Sequence, residues 1–330
     1  MKKLFGIILG TVIGALGVDS ASANEKVSFL MDFRPSGNHA PFYFARSQGW
    51  YKEAGIDLSI EVGKGSTFSV QSVGAGTVDF ALADFGTAYV GIGKGAEIVS
   101  VMSMFGNTPL TFYWLKTSGI NGPKDFPGRS IGNPPGDAVR AMWPAFAKAA
   151  GIDEKTVKWV SVAGAAKFAA LRSGAVDIIS DFFSSHDLKV REFGDNLGFV
   201  NWADVGLNLY GLSVITNKKT VETRPELVRK VLSVTQRANI ACMKDFDPCL
   251  KAMTSELSGL DPQVIREEWS RVTQLMRTPE SENIALGWAN PERIVANYNT
   301  ISAYMEIEKP FDPNSGFSND FLDKEFKYPK

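Results

Sequence analysis

The chain has 330 residues, with 35 Lys and Arg set against 36 Asp and Glu, a formal net charge of −1. That balance gives no sign of nucleic-acid or anionic-membrane binding. Only two His and two Cys occur, too few and too scattered for a zinc-type cluster.

Lys2 and Lys3 precede an apolar run from Leu4 to Val18, and Ala21-Ser22-Ala23 offers a small-x-small cleavage site. Residues 1–23 therefore read as a secretory signal peptide cut before Asn24. A membrane anchor would need ~20 apolar residues, and no later run is that long. No Cys follows the cut, so a lipid anchor is not expected, and the periplasm is the expected compartment. The remaining 307 residues carry a net charge of −2 and suffice for two domains.

Val27 to Phe33 reads as a strand from its β-branched and aromatic content. Arg34 to His39 is a loop, Ala40 to Ala54 a helix closed by Gly55, and Ile56 to Val62 a second strand. Gly63-Lys64-Gly65-Ser66 is a turn, with Ser66 the expected N-cap of the next helix. Phe80 to Ala83 is a short buried strand ending on Asp84-Phe85, followed by a helix to Gly93 and the strand Ile98 to Met104. Thr111 to Lys116 is a strand that crosses into a second lobe. There, Arg129 to Ile131 is a strand, Ala138 to Ala150 a helix, Val157 to Val162 a strand and Ala163 to Ser173 a helix. The strand 176–180 ends at Asp181-Phe182. Leu207 to Thr216 crosses back. The tail is helical over Arg224–Met243, Pro248–Leu257, Pro262–Met276 and Pro291–Tyr304, with first-turn prolines. Cys242 and Cys249 flank the turn between the first two tail helices, so a disulfide across it is expected in an oxidising compartment.

One stretch occurs twice. Gly76-Thr77-Val78-Asp79 opens a strand that ends Asp84-Phe85, and Gly174-Ala175-Val176-Asp177 opens one that ends Asp181-Phe182. Both are entered from a helix through a Gly turn. The expected fold is α/β: two similar lobes, 24–112 plus 212–330 and 113–211, joined by two crossings and facing a shared cleft. Ligands of open α/β sheets sit at the carboxyl ends of strands.

Signal peptide, paired α/β lobes, two crossings and helical tail together resemble the periplasmic solute-binding proteins of ABC importers. Arg34-Pro35-Ser36-Gly37-Asn38-His39-Ala40-Pro41-Phe42-Tyr43-Phe44-Ala45, Gly49-Trp50-Tyr51-Lys52-Glu53-Ala54-Gly55-Ile56-Asp57 and Gly76-Thr77-Val78-Asp79 are similar to the family that binds thiamine-pyrimidine precursors, near the taurine, nitrate and sulfonate binders. The resemblance implies a monomer that captures a small planar nitrogen-bearing solute and delivers it to an inner-membrane permease, with no catalysis and no cofactor. An aromatic carboxylate or sulfonate is the alternative ligand class. The same family includes enzymes that make the pyrimidine from their own histidine and bound pyridoxal phosphate. Their lysine falls here on Ala83, their histidine on Thr87, and their Cys-rich iron motif on the Cys-free stretch 208–214. These departures argue against a synthase. A sensor that presents the bound solute to a receptor shares the fold.

Candidate ligand contacts follow from strand ends and helix starts. Arg34 can hold an anionic group, or sit in an exposed loop; Asn38 and His39 can face the cleft, or His39 can cap the helix from Ala40. Asp84 and Asp181 can accept from an amino group or ring N–H, or each can cap the helix that follows it. Phe85, Phe182, Trp114 and Tyr210 can stack on a planar ring, or belong to the core. Ser66 and Gly136 open helices whose backbone N–H groups can meet an anion, although Asp137 would fill the second such position itself. No P-loop or nucleophile elbow is present.

Overall fold

The computed structural model describes residues 24–329; the signal-peptide reading, 1–23, lies outside them. The strands are β1 (Glu25–Leu30), β2 (Ile56–Glu61), β3 (Phe80–Asp84), β4 (Ile98–Ser103), β5 (Leu110–Leu115), β6 (Ser130–Gly132), β7 (Lys158–Val160), β8 (Ile178–Phe182), β9 (Leu197–Asn201) and β10 (Leu212–Asn217). They form two five-stranded sheets, ordered β2-β1-β3-β10-β4 and β7-β6-β8-β5-β9. Each is mixed: three parallel strands, then a crossing strand that runs antiparallel.

The duplicated stretch builds the same joint in both sheets. Asp79 Oδ2 accepts from the backbone N–H and the hydroxyl of Ser28, both at 2.9 Å, and Ser28 Oγ accepts from Asp79 N. Asp177 makes the identical set with Ser130 at 2.8, 2.7 and 3.0 Å. A carboxylate just before one strand thus ties it to its parallel neighbour, β3 to β1 and β8 to β6.

The first lobe carries α1 (Ala40–Ser47), α2 (Trp50–Glu53), α3 (Ser66–Gly74) and α4 (Phe85–Gly93). The expected single helix over 40–54 breaks at Gly49, whose φ of 75° places it in the left-handed region. The second lobe carries α5 (Ala138–Ala141), α6 (Trp143–Ala149), α7 (Lys167–Arg172) and α8 (His186–Phe193). Pro144 cannot continue the hydrogen-bond ladder, so the expected helix over 138–150 is two. Strand β9 and helix α8 have no counterpart in the sequence reading.

The tail comprises α9 (Lys218–Thr223), α10 (Pro225–Lys244), α11 (Asp247–Glu256), α12 (Pro262–Met276), α13 (Pro279–Ile284) and α14 (Pro291–Tyr304). Helix α10 lays its apolar face, including Val228, Val231 and Leu232, into the core beneath α1. Cys242 and Cys249 are bonded across the α10–α11 turn, with Cα atoms 5.9 Å apart. Helix α12 packs on the turn Gly37–His39 of the first lobe and on the turn Phe183–Ser185 of the second. Gly37 permits that approach: a Cβ there would lie 2.6 Å from Trp269 N.

The two crossings lie side by side. Asn208 Nδ2 donates to Asn107 Oδ1 at 3.1 Å, and Gly211 N donates to Phe105 O at 2.9 Å. Each crossing also receives one strand-end N–H. Phe85 N donates to Gly211 O, and Phe183 N donates to Pro109 O, both at 2.7 Å.

Candidate functional site

A cavity lies between the strand ends of the two lobes. The loop after β1 supplies Asp32, Phe33, Arg34 and Ser36, and the start of α3 supplies Gly65 and Ser66. The second lobe supplies Asp137 and Ala138 at the start of α5, then Asp181 and Phe182 at the end of β8 and Ser184 and Ser185 after it. Helix α12 of the tail adds Glu268. The lobes meet beside it: Gly136 O accepts from Thr67 N at 3.3 Å. Gly65, at φ 114°, has no room for a side chain, because a Cβ would stand 2.2 Å from that carbonyl oxygen.

The lining is rich in acids, each held differently. Asp32 is 5% exposed, and its Oδ1 accepts from His39 Nε2 at 2.8 Å. His39 Nδ1 in turn accepts from Ser36 N at 3.2 Å, so the imidazole orients Asp32 and does not itself line the cavity. Asp137 caps α5 through Val139 N at 2.9 Å and pairs with Lys167 Nζ at 3.1 Å. Asp181 pairs with the fully buried Lys189 at 2.9 Å and reaches Arg34 of the other lobe at 3.9 Å. Burial alone would raise the Asp181 carboxyl, but Lys189, Lys167 and Arg34 outweigh it and hold it well below the usual carboxylate range. Burial pulls the Lys189 ammonium down to about 8, with Asp181 opposing. Glu268 is 2% exposed; burial pushes its carboxyl up, against Arg34 and the Gly37 N–H. Its Oε2 accepts from Gly37 N at 2.9 Å, and its Oε1 has no partner among the described residues.

Phe33 and Phe182 supply the aromatic walls. Phe33 reaches over the cleft, under Lys167 Nζ at 5.4 Å and close enough to Gly164 that a Cβ there would overlap its ring.

Of the expected contacts, Arg34, Ser66, Asp181 and Phe182 line this cavity, and the others stand elsewhere. Ser66 is the first residue of α3, not its N-cap, and its hydroxyl accepts from Asp84 N at 2.9 Å. Asp84 is the N-cap of α4: Oδ1 accepts from Thr87 N at 2.9 Å and from Thr87 Oγ1 at 3.0 Å. Burial pushes its carboxyl up to about 6 against those bonds. Gly136 is spent on the lobe contact. Asn38 is 3% exposed and bonds Ser36.

Three expected stacking residues are core. Phe85 is fully buried against Tyr89, centroids 4.1 Å apart. Trp114 is buried against Phe126 and Gly198, on the strand of the second sheet that leads away from the cleft. Tyr210 is 1% exposed and its hydroxyl accepts from Asn290 N.

The pairing of Asp84 with Asp181 as matching lips also changes. Asp84 faces Leu212 of β10, whereas Asp181 faces Thr111 of β5 and it is Phe182 that faces Leu110. Counted from the two Ser–Asp joints, Asp181 corresponds to Ala83 and Phe182 to Asp84. Asp181 and Phe182, adjacent in β8, both line the cavity, whereas the Asp84 carboxylate is spent on the cap of α4.

The position that a pyridoxal lysine would need, Ala83, is a fully buried methyl within β3, and Thr87 is bonded to Asp84. The lysines nearest the cavity, Lys167 and Lys189, are ion-paired from the opposite lobe. These residues do not fit a pyridoxal phosphate site.

Asp32, Phe33, Lys167, Lys189 and Glu268 were not among the expected contacts. Asp32 and Phe33 end the first predicted strand, so the strand-end rule already reaches them. Glu268 carries no such signal, since it is one charged residue within a helix of the tail.

The chain is 23% identical over 300 residues to a formylaminopyrimidine-binding protein of Halalkalibacterium halodurans, covering 90% of this chain and 91% of the relative. It is 26% identical over 221 residues to a 4-amino-5-hydroxymethyl-2-methylpyrimidine phosphate synthase of Legionella pneumophila, covering 66% and 69%. Among solved structures, the alkanesulfonate-binding protein SsuA of Xanthomonas axonopodis pv. citri superposes with a TM-score of 0.67 at 14% identity, over 89% of this chain and 98% of that one. The likeness shows a periplasmic binding protein fold. The family model described as NMT1/THI5 like matches residues 36–247, a span that starts at the Ser36 turn and runs through both lobes into α11, and the chain belongs to that family.

Proposed function

We propose that this chain is the solute-binding component of a periplasmic ABC importer, closing on a small planar nitrogen-bearing solute of the aminopyrimidine type. The observation that carries the reading is the cavity itself: a ring of carboxylates with two phenyl walls, set where the strands of two lobes converge. Carboxylates accept from amino groups and ring N–H donors, and phenyl rings stack on a flat heterocycle. The binding relative in Halalkalibacterium halodurans supports the same solute class.

In this reading the lobes are 24–112 plus 212–330 and 113–211, and residues 1–23 direct export to the periplasm. The protein works as a monomer and passes its solute to an inner-membrane permease. It makes and breaks no bond. Sulfonates and aromatic carboxylates fit less well, because Arg34, Lys167 and Lys189 each already face a carboxylate.

The test is a thermal-shift and titration panel of aminopyrimidines, alkanesulfonates and aromatic acids, with pyridoxal phosphate included. An aminopyrimidine at 100 times its Kd should add about 2.7 kcal/mol of stability. A shift with sulfonates alone would overturn the ligand class. Retention of a pyridoxal chromophore through gel filtration would overturn the non-catalytic reading.

A further inference from the structure

Helix α12 belongs to neither sheet, yet it places one carboxylate in the wall of the cavity. Glu268 is 2% exposed, and Gly37 N holds its Oε2 at 2.9 Å. Its Oε1 is buried without a hydrogen-bond partner among the described residues. Other buried polar atoms also lack partners, among them Asn38 Nδ2, Trp114 Nε1 and His186 Nδ1, but none of those residues lines the cavity. A buried carboxylate oxygen left without a donor is costly, and a donor arriving with the ligand removes that cost.

We propose that Glu268 is the specificity-determining residue of this site, accepting through Oε1 a hydrogen bond from an exocyclic amine or a ring N–H of the solute. The inference rests on the binding-protein reading above and adds to it the group that chooses among planar ligands. Burial raises the Glu268 carboxyl, and Arg34 and the Gly37 N–H oppose that rise. The same helix grips the second lobe one residue before and one turn after Glu268. Glu267 bonds Arg191, and Arg271 bonds Asp187 with Nη2 2.6 Å from Oδ1. Glu268 therefore meets the ligand where the tail and both lobes converge.

The experiment titrates wild type and E268Q by calorimetry with 4-amino-5-hydroxymethyl-2-methylpyrimidine and with its counterpart lacking the 4-amino group. In E268Q, the Gly37 N–H keeps the amide oxygen on its own side and turns the amide NH2 toward the cavity, a donor where the ligand needs an acceptor. Wild type should prefer the amino compound by roughly 10–100-fold, the range of a charge-assisted hydrogen bond, and E268Q should bring the two within about threefold. E268D withdraws the oxygen by one methylene, and it should lose the preference in the same way if E268Q fails to fold. If the variants weaken both compounds equally, or leave the preference intact, Glu268 is structural and the inference fails while the binding reading stands. If wild type binds neither pyrimidine, the binding reading fails and this inference with it.

Discussion

Asp84 and Asp181 are the same residue type at the ends of equivalent strands, and their surroundings give them opposite effects on stability. Asp84 is buried with hydroxyl and amide donors but no cation, and its carboxyl rises to about 6. Below pH ~4 it is neutral in both folded and unfolded chains. As pH rises toward 6 the unfolded chain loses the proton first, so Asp84 subtracts stability across that window. Asp181 is held low by its cations, so its contribution is present above pH ~4 and is lost as pH falls below that. D84N keeps a capping oxygen and has no charge to bury. Relative to wild type it should be more stable at pH 7 than at pH 4 by roughly 2–3 kcal/mol, the worth of about two pKa units. Urea melts of both proteins at the two pH values measure this. An unchanged difference would mean that Asp84 ionises freely inside the fold.

At the scale of elements, α10 and α11 meet at a corner closed by the Cys242–Cys249 bond, and neither cysteine lines the cavity. Closing so short a loop should stabilise the fold by about 2–3 kcal/mol in the chain-entropy account. The double variant C242A/C249A is expected to lose that much in denaturant melts and to keep its ligand affinity. A matching loss of affinity would tie the corner to the binding site. Elements also show why reading the sequence went astray where it did. Helix α8 has the sequence His-Asp-Leu-Lys-Val-Arg-Glu-Phe, whose buried positions include Lys189, so the usual apolar stripe is missing. That lysine is buried because Asp181 and Ser185 from its own lobe receive it, a reason that no local pattern displays.

The whole molecule is two sheets of one topology, each lending its fourth strand to a crossing. In the proposed reading, the crossings, which lie side by side and are bonded through Asn107 and Asn208, act as a hinge between the lobes. The lobes touch at Gly65 and Gly136 and through the pairs made by Arg34, Arg191 and Arg271. Those exposed or half-exposed pairs are individually weak, so ligand contacts are expected to decide between open and closed forms. Small-angle scattering should show a smaller radius of gyration with a saturating aminopyrimidine than without one. An identical radius in both states would rule out hinge closure as the binding step.

The sequence by itself determined the two-lobe plan, the strands β1 to β4, the tail helices with their first-turn prolines, and the repeated Gly-x-Val-Asp at the head of each central strand. These follow from local rules: short apolar runs, Gly and Pro punctuation, and a repeat visible at a fixed offset. It also placed Arg34, Ser66, Asp181 and Phe182 at strand and helix ends, which is where the cavity formed. Only the tertiary structure decided the rest. Strand register paired Asp84 with Leu212 and Asp181 with Thr111, and contacts from outside each strand made Asp84 a helix cap and Asp181 a wall of the cavity. Core packing took Phe85, Trp114 and Tyr210 out of reach of a ligand. The docking of α12, more than 80 residues after β8, brought Glu268 to a site that its neighbours in the chain do not touch. Register, packing and docking depend on contacts between residues distant in sequence, and periodicity within a segment cannot report them.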